Sequence, residues 1–209
     1  MAVRCSMETL ANAMYGQPGL LSLVLDRDES HGWTLSEERD PLMLTVSSFQ
    51  IVLLVAAFLC ALVAGFLFAF VAVVMPGIQR LGNRDFIRAF QVIDGVIQGN
   101  QPLFMLVWVG SVLFLGIAAI LGLVQLDGAD RLLIVFAALA YLLGVQLPTI
   151  RVNIPLNNAL QALNVESMSE AEQQAARIKF ERRWNRWNAI RTAIASLVSL
   201  TLMALLLRA

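Results

Sequence analysis

The chain has 209 residues, of which 58% are apolar and only 14% are charged, whereas charged residues make up about 25% of a typical soluble domain. Fifteen basic residues balance fifteen acidic ones, so the net charge gives no reason to expect a nucleic-acid partner. Long stretches with almost no ionisable side chain instead predict a protein whose partner is a lipid bilayer.

Four apolar stretches predict four membrane-spanning α-helices, at about residues 47–75, 102–124, 132–150 and 187–207. A bilayer core of about 30 Å needs roughly 20 helical residues. The last apolar run, Thr192–Leu207, is too short unless its helix also uses Trp187–Arg191. The runs lack the ten-residue polar alternation of membrane β-barrels. The predicted fold class is therefore all-α, a four-helix transmembrane bundle.

Residues 1–45 differ in composition and predict an acidic, loosely ordered extramembrane tail, with seven acidic residues against three arginines. A surface helix around Asn12–Leu25 is interrupted by glycine and proline. The tail lacks the long apolar run of a signal peptide. Met43 is an alternative start, so it is open whether residues 1–42 belong to the native protein.

Two further helices are predicted outside the membrane. Asp85–Gln98, between the first two membrane helices, is predicted to be a short amphipathic helix. Its apolar face carries Phe86, Phe90, Ile93 and Ile97. Glu166–Trp187, before the fourth membrane helix, is predicted to be a polar helical extension, with Ser169 and Glu172 as a capping box.

Small residues recur at four-residue spacing in two of the membrane helices. The first carries Ala57, Ala61, Gly65 and Ala69, and the third carries Ala140 and Gly144. Such stripes let a neighbouring helix approach closely, so both are predicted to face another helix.

The basic residues predict the orientation in the cell membrane. The two long loops carry ten of the fifteen basic residues. Because basic residues are enriched in cytoplasmic loops, we expect both long loops in the cytoplasm and both termini outside.

Several common sites are absent from the sequence. The only histidine, His31, lies in the tail, so no pair of axial histidines for a membrane haem exists. No Cys/His spacing typical of zinc, no P-loop and no dinucleotide glycine motif is present. Neither a metal site nor a cofactor is predicted.

Three polar stripes lie at the same predicted end of the bundle. Asn153 and Asn157 share one helical face because they are four residues apart. Trp184, Trp187, Asn188 and Arg191 lie within about 100° of one another on a helix. The first long loop contributes Gln91, Asp94, Gln98 and Gln101. We expect these stripes to meet at one cavity open to the cytoplasmic side, where Asp94 could pair with Arg191.

Each of these residues also has a simpler interpretation. Arg191 could extend to lipid phosphates, and the tryptophans could belong to an interfacial aromatic belt. The asparagines could bond across helices or to carbonyls freed by Pro155. Asp94 could be a solvated loop acid, and the Arg177–Arg186 run a solvated face near anionic lipid.

Five segments together resemble a family of small bacterial and fungal membrane proteins named for its anthrone oxygenases, largely a domain of unknown function. They are Ala64-Gly-Phe, Met75-Pro, Phe90-Gln-x-Ile-Asp94, Asn153-x-Pro-Leu-Asn157 and Trp184-x-x-Trp-Asn188-x-x-Arg191. The resemblance runs from about Phe49 to the C-terminus. It implies a four-helix membrane fold and, in the characterised branch, cofactor-independent oxidation of a polyketide anthrone to an anthraquinone.

This resemblance suggests a role for each polar residue. Asp94 is the candidate base and Arg191 the candidate stabiliser of the anion formed. The candidate substrate-binding residues, which bond to oxygen atoms or wall an aromatic substrate, are Asn153, Asn157, Trp184, Trp187 and Asn188.

Other functions remain open. The same residues suit a non-enzymatic membrane protein that binds a lipid- or quinone-like molecule, or an accessory membrane subunit. A transporter is less favoured, because the sequence shows no inverted repeat and no charge in mid-membrane. The expected partners are the bilayer and a hydrophobic aromatic small molecule, and a homo-oligomer remains an alternative.

Overall fold

The structure, a computed structural model, describes residues 24–28, 32–36 and 41–208, with side chains from residue 48 onward. The chain divides into two units, Met1–Leu44 and Thr45–Ala209. In the first unit β1 (Val24–Asp28) pairs antiparallel with β2 (Gly32–Ser36). This hairpin was not predicted. The suggested surface helix at Asn12–Leu25 ends inside β1, and the rest of it, like His31, lies outside the described residues.

The second unit is helical. The helices are α1 (Pro41–Ala69), α2 (Asn83–Gln98), α3 (Pro102–Gln125), α4 (Gly128–Tyr141) and α5 (Glu170–Leu206). Past Ala69, α1 continues through a π turn, Phe70–Val74, to Met75–Ile78. Past Tyr141, α4 continues through π turns at Leu142–Gln146 and Thr149–Asn153 to Ile154–Gln161.

Four helical spans of the described chain are long and apolar enough to cross a membrane. They are Ser48–Ile78, Pro102–Gln125, Gly128–Gln161 and Glu170–Leu206. The predicted all-α bundle is confirmed, together with the amphipathic helix of the first long loop and the polar helical extension of the second.

The polar extension and the fourth membrane helix form one continuous helix, α5. Ser169 and Glu172 form the predicted capping box at its start, since each side chain bonds to the other residue's backbone N–H. With 37 residues, α5 is about 55 Å long. This length exceeds a bilayer core of about 30 Å and removes the shortfall of the last apolar run.

The buried apolar residues form two clusters. One lies among the four membrane helices and includes Leu53, Cys60 and Tyr141. The other joins α2 to the polar half of α5, where Phe90 meets Phe180 with ring centroids 4.5 Å apart. On the predicted apolar face of α2, Phe86 and Phe90 are buried, whereas Ile93 and Ile97 are half-buried.

The small-residue stripe of α1 does not face a helix along its length. Gly65 and Ala69 are exposed, and a Cβ at Gly65 would meet open space. Each four-residue step moves the side chain about 40° around the helix. The stripe therefore begins on the buried face at Ala57 and has left that face by Gly65. The stripe of α4 does make a close approach, because a Cβ at Gly144 would lie 2.5 Å from Cδ1 of Ile194.

The arginine run of α5 divides between two environments. Arg177 donates to the carbonyls of Gln79 and Leu81 at 2.8 and 2.9 Å, and its guanidinium carbon lies 4.4 Å from the Phe86 ring centroid. It therefore holds the turn before α2 against α5, and the expectation of a solvated residue is wrong here. The other basic residues of the run, Lys179, Arg182, Arg183 and Arg186, are exposed.

Candidate functional site

A cavity of about 320 Å³ lies where α2 meets the ends of the membrane helices. Its aromatic lining consists of Phe66, Phe70, Phe90, Phe104, Trp108 and Trp184. Its polar lining consists of Asp94, Gln98, Thr149, Asn153, Asn157, Asn158, Asn188 and Arg191. Apolar walls with a few convergent polar groups are typical of small-molecule sites.

Asp94 is 3% exposed and lies one helical turn after Phe90 on the buried face of α2. Its carboxylate accepts hydrogen bonds from Gln98 at 2.6 Å and from Asn157 at 2.8 Å. Burial raises the pKa of Asp94, and the two hydrogen bonds oppose that effect. The alternative of a solvated loop acid is therefore wrong.

A chain of side chains connects Asp94 to α5. The indole N–H of Trp184 donates to the amide oxygen of Asn157 at 2.8 Å. This bond leaves the amide nitrogen of Asn157 to donate to Asp94. Trp184 is itself held by Phe70 and Phe90, with ring centroids 5.5 Å away in each case.

Arg191 is 4% exposed and points into the protein. Its Nη1 donates to Thr149 Oγ1 at 2.8 Å, and its Nη2 donates to Asn188 Oδ1 at 2.9 Å. Both acceptors are oriented by other bonds, because Thr149 donates to the carbonyl of Val145 and Asn188 donates to that of Leu67. The alternative of an arginine extending to lipid is wrong.

Unpaired polar atoms remain on the wall of this cavity. Within the described chain, no group hydrogen-bonds to Nε of Arg191 or to either polar atom of the Asn153 side chain. Asn153 is 2% exposed. Buried polar groups are nearly always hydrogen-bonded, so this part of the cavity wall has hydrogen-bonding capacity that the described chain does not use.

The ion pair suggested between Asp94 and Arg191 is not formed, since each bonds instead to uncharged groups of the described chain. The reason is that the two groups meet α5 at different points along its axis. The Asp94 network reaches α5 at Trp184, and Arg191 lies seven residues later, about 10 Å further along the axis. The cavity thus holds an acidic and a cationic group at different levels.

Residues 100–201 match the family model of anthrone oxygenase. The match covers just under half of the chain and confirms the resemblance to this family. No curated protein and no solved structure matches the chain.

The part of the chain that matches the anthrone oxygenase family model includes α3, α4 and most of α5. It therefore contains the candidate residues Asn153, Asn157, Trp184, Asn188 and Arg191. Asp94 precedes it, so the case for Asp94 rests on the geometry of the cavity.

Six of the seven candidate residues line the cavity, and Trp187 does not. Trp187 is half-buried and lies about 60° around the helix from Trp184. Thr149 also lines the cavity and was not predicted, although it continues the Asn153–Asn157 row one step earlier. Two aromatic pairs with four-residue spacing, Phe66 with Phe70 and Phe104 with Trp108, line it too and were not predicted.

Proposed function

We propose that this protein is a membrane-embedded oxygenase that converts an anthrone-like or other phenolic aromatic substrate to its quinone, using dioxygen and no cofactor. The observation that carries the proposal is a single aromatic-lined cavity containing a buried carboxylate and a buried guanidinium that do not neutralise each other. The match to the anthrone oxygenase family supports it.

Asp94 is the proposed base. The methylene group of an anthrone loses a proton readily, because the resulting anion is delocalised over the rings and onto the carbonyl oxygen. A carboxylate whose pKa is raised by burial binds a proton more strongly than an exposed one does. Its bonds to Gln98 and Asn157 leave lone pairs on both oxygens for the proton.

Arg191 is the proposed stabiliser of the anion. Charge that develops on the substrate oxygen would interact with a guanidinium already held by Thr149 and Asn188, so little reorganisation is needed. The unpaired Nε of Arg191 and the unpaired amide of Asn153 supply donors for that oxygen. Because the base and the cation lie at different levels, a planar molecule between them would present its methylene to one and its oxygen to the other.

The chemical balance is simple. After proton loss, the electron-rich carbon transfers electrons to dioxygen and forms a carbon–oxygen bond. The hydroperoxide formed on protonation loses water as the second hydrogen leaves that carbon as a proton, which gives the quinone carbonyl. One dioxygen is consumed per substrate, with one atom in the quinone and the other in water.

Oxygen uptake tests the proposal. Wild-type protein in detergent should consume oxygen when anthrone is added. After subtraction of the uncatalysed rate, one dioxygen should be consumed for each quinone formed. Asp94→Asn should lower kcat by about 10²–10⁴, the usual range for loss of a general base, while substrate binding is retained. Asp85→Asn, an exposed acid on the same helix, should behave as wild type.

Two results would contradict this assignment. Full turnover by Asp94→Asn would remove Asp94 as the base. Tight anthrone binding by the wild type with no oxygen uptake above background would instead favour the non-enzymatic binding protein.

For the cell, we propose a multi-pass protein of the cell membrane with its long connections in the cytoplasm. Nine of the ten basic residues predicted for these connections remain outside the cavity, and only Arg191 lines it. These nine still outnumber the five basic residues elsewhere in the chain, which supports a cytoplasmic location of the long connections.

A further inference from the structure

A second cavity, of about 610 Å³, lies next to the first and is open along one side. We call it the lateral groove. It is bounded by α1 through Leu62, by α2 through Val96 and by α3 through Leu103. Its lining is apolar except for Gln101, whose side-chain oxygen accepts a bond from the backbone N–H of Phe104 at 2.6 Å.

The lateral groove and the candidate site share part of their lining. Phe66, Ile97, Phe104 and Trp108 line both cavities. Phe104 lies between the other two aromatic rings, with ring centroids 5.2 Å from Phe66 and 5.4 Å from Trp108. Trp108 is held by a bond from its indole N–H to Gln146 at 3.0 Å, whereas phenylalanine rings have no polar atom to hold them. Rotation of Phe66 or Phe104 would join the two cavities.

The open side of the lateral groove carries apolar residues at the surface. Leu103 is 67% exposed, and Leu62 and Val96 are also exposed. Leu62 and Leu103 belong to spans long enough to cross a membrane. Acyl chains suit such a surface, whereas water wets it poorly.

We infer that the lateral groove is the entrance through which an apolar aromatic substrate passes from the bilayer into the cavity. The inference rests on the proposed function, which defines the substrate class. A polycyclic phenol partitions into the membrane and would meet apolar contacts from the lipid to the aromatic wall. Apart from the amide of Gln101 in the groove, its polar oxygen would meet donors only inside the cavity, among them Asn153 and Arg191.

An entrance has a distinct kinetic signature. A side chain that narrows the path raises the barrier between free and bound states without contacting the bound ligand. Association and dissociation then slow by the same factor, and Kd stays constant. A change in the site itself would alter Kd and mainly affect dissociation.

Two neighbouring leucines of α3 give a matched pair of variants. Leu103 lines the lateral groove and Leu106 does not, although they are 67% and 66% exposed. The protein is reconstituted in phosphatidylcholine nanodiscs, and binding of anthraquinone is followed by stopped-flow quenching of tryptophan fluorescence. Each variant, Leu103→Trp and Leu106→Trp, adds one indole, so rate constants rather than amplitudes are compared.

We expect Leu103→Trp to slow association and dissociation by about tenfold each, with Kd unchanged, and Leu106→Trp to match wild type. Val96→Trp, on the α2 side of the groove, should repeat the effect, and an unchanged Kd shows that each variant is folded. Wild-type rates in both groove variants would overturn the entrance and leave the proposed function intact. No anthraquinone binding by the wild type would overturn the proposed function, and the entrance with it.

Discussion

The carboxylate of Asp94 and the guanidinium of Arg191 line the same cavity, yet each bonds to uncharged groups. An isolated charge in a low-dielectric site is costly, and an ion pair would have reduced that cost. The arrangement leaves both charges able to act on a third molecule.

Activity should fall at acid pH because of Asp94. Burial raises the pKa of this carboxyl, and bonds from Gln98 and Asn157 lower it in part. A base acts only when ionised, so kcat/KM for oxygen uptake should rise with pH through that raised pKa. Gln98→Met removes one bond to the carboxylate and should move this limb of the pH profile to higher pH. Gln91→Met is the control, because Gln91 bonds to the Leu160 and Leu163 carbonyls instead.

The same shift predicts how stability depends on pH. A folded-state pKa above the unfolded value means that folding favours protonated Asp94. The associated stability is present at low pH and is lost as pH rises through the folded pKa. In thermal unfolding, the stability of Asp94→Asn relative to wild type should therefore increase as pH rises from about 4, the ordinary pKa of aspartate. A constant difference across that range would contradict the shift.

Thr149 should act as a positioning residue for Arg191. Thr149→Val keeps the shape but removes the acceptor of Nη1, and a buried donor without a partner costs about 1–3 kcal/mol. If the whole cost is felt in the transition state, kcat/KM falls by about 5- to 150-fold, because each 1.4 kcal/mol or so of barrier changes the rate tenfold. Oxygen uptake with anthrone measures it.

The controls for this prediction are two further hydroxyl variants. Thr149→Ser retains the acceptor and should restore most of the activity. Thr192→Val removes a hydroxyl that bonds only to the backbone carbonyl of Asn188 in the described chain, so it should change little. Equal losses in Thr149→Val and Thr192→Val would indicate a general packing defect and contradict the positioning role.

The close approach of α4 to α5 should make Gly144 sensitive to any side chain. A Cβ there would lie 2.5 Å from Cδ1 and 3.0 Å from Cγ2 of Ile194. Gly144→Ala should therefore lower the free energy of unfolding by about 1–3 kcal/mol. Thermal unfolding in detergent measures the loss.

Two variants isolate the contact at Gly144. Gly65→Ala should melt at or slightly above the wild-type temperature, because a Cβ at Gly65 meets open space and alanine favours the helix more than glycine does. Ile194→Ala combined with Gly144→Ala should cost less than the two single changes added together, since the clash is removed. Additive costs would show that Gly144→Ala acts through something other than Ile194.

The sequence was most informative about features within single helices. Lengths of apolar runs predicted the four spans, and four-residue spacing brought Asn153 and Asn157 to one face. Thr149 lies in the same row and could have been found by the same rule. Side chains four apart meet on any helix, so these predictions do not depend on tertiary structure.

Relations between helices were harder to predict. Spacing alone could not tell that Gly65 faces outward, because any face of an apolar helix resembles the others. The π turns at Leu142–Gln146 and Thr149–Asn153 add a further difficulty. Each inserts about one residue and rotates the chain after it by about 100°. The sequence could not show that Asp94 and Arg191 are not paired with each other for a related reason. Their positions along the bundle axis depend on how the helices pack against one another.

The orientation in the membrane should be measurable by cysteine labelling in a background without Cys5 and Cys60. Ser167 is exposed in the connection between α4 and α5, and Ala129 is exposed near the turn between α3 and α4. These connections lie at opposite ends of the Gly128–Gln161 span, so one serves as the control for the other.

Because most basic residues lie on the Ser167 side, an impermeant maleimide should label Ala129→Cys in intact cells. Ser167→Cys should react only after permeabilisation. The opposite pattern would place the long connections outside and contradict the positive-inside argument. Labelling of both sites in intact cells would mean that the Gly128–Gln161 span between them does not cross the bilayer. Asn157, which donates to Asp94, lies near the Ser167 end of the Gly128–Gln161 span, so this result also decides which side of the membrane the candidate site faces.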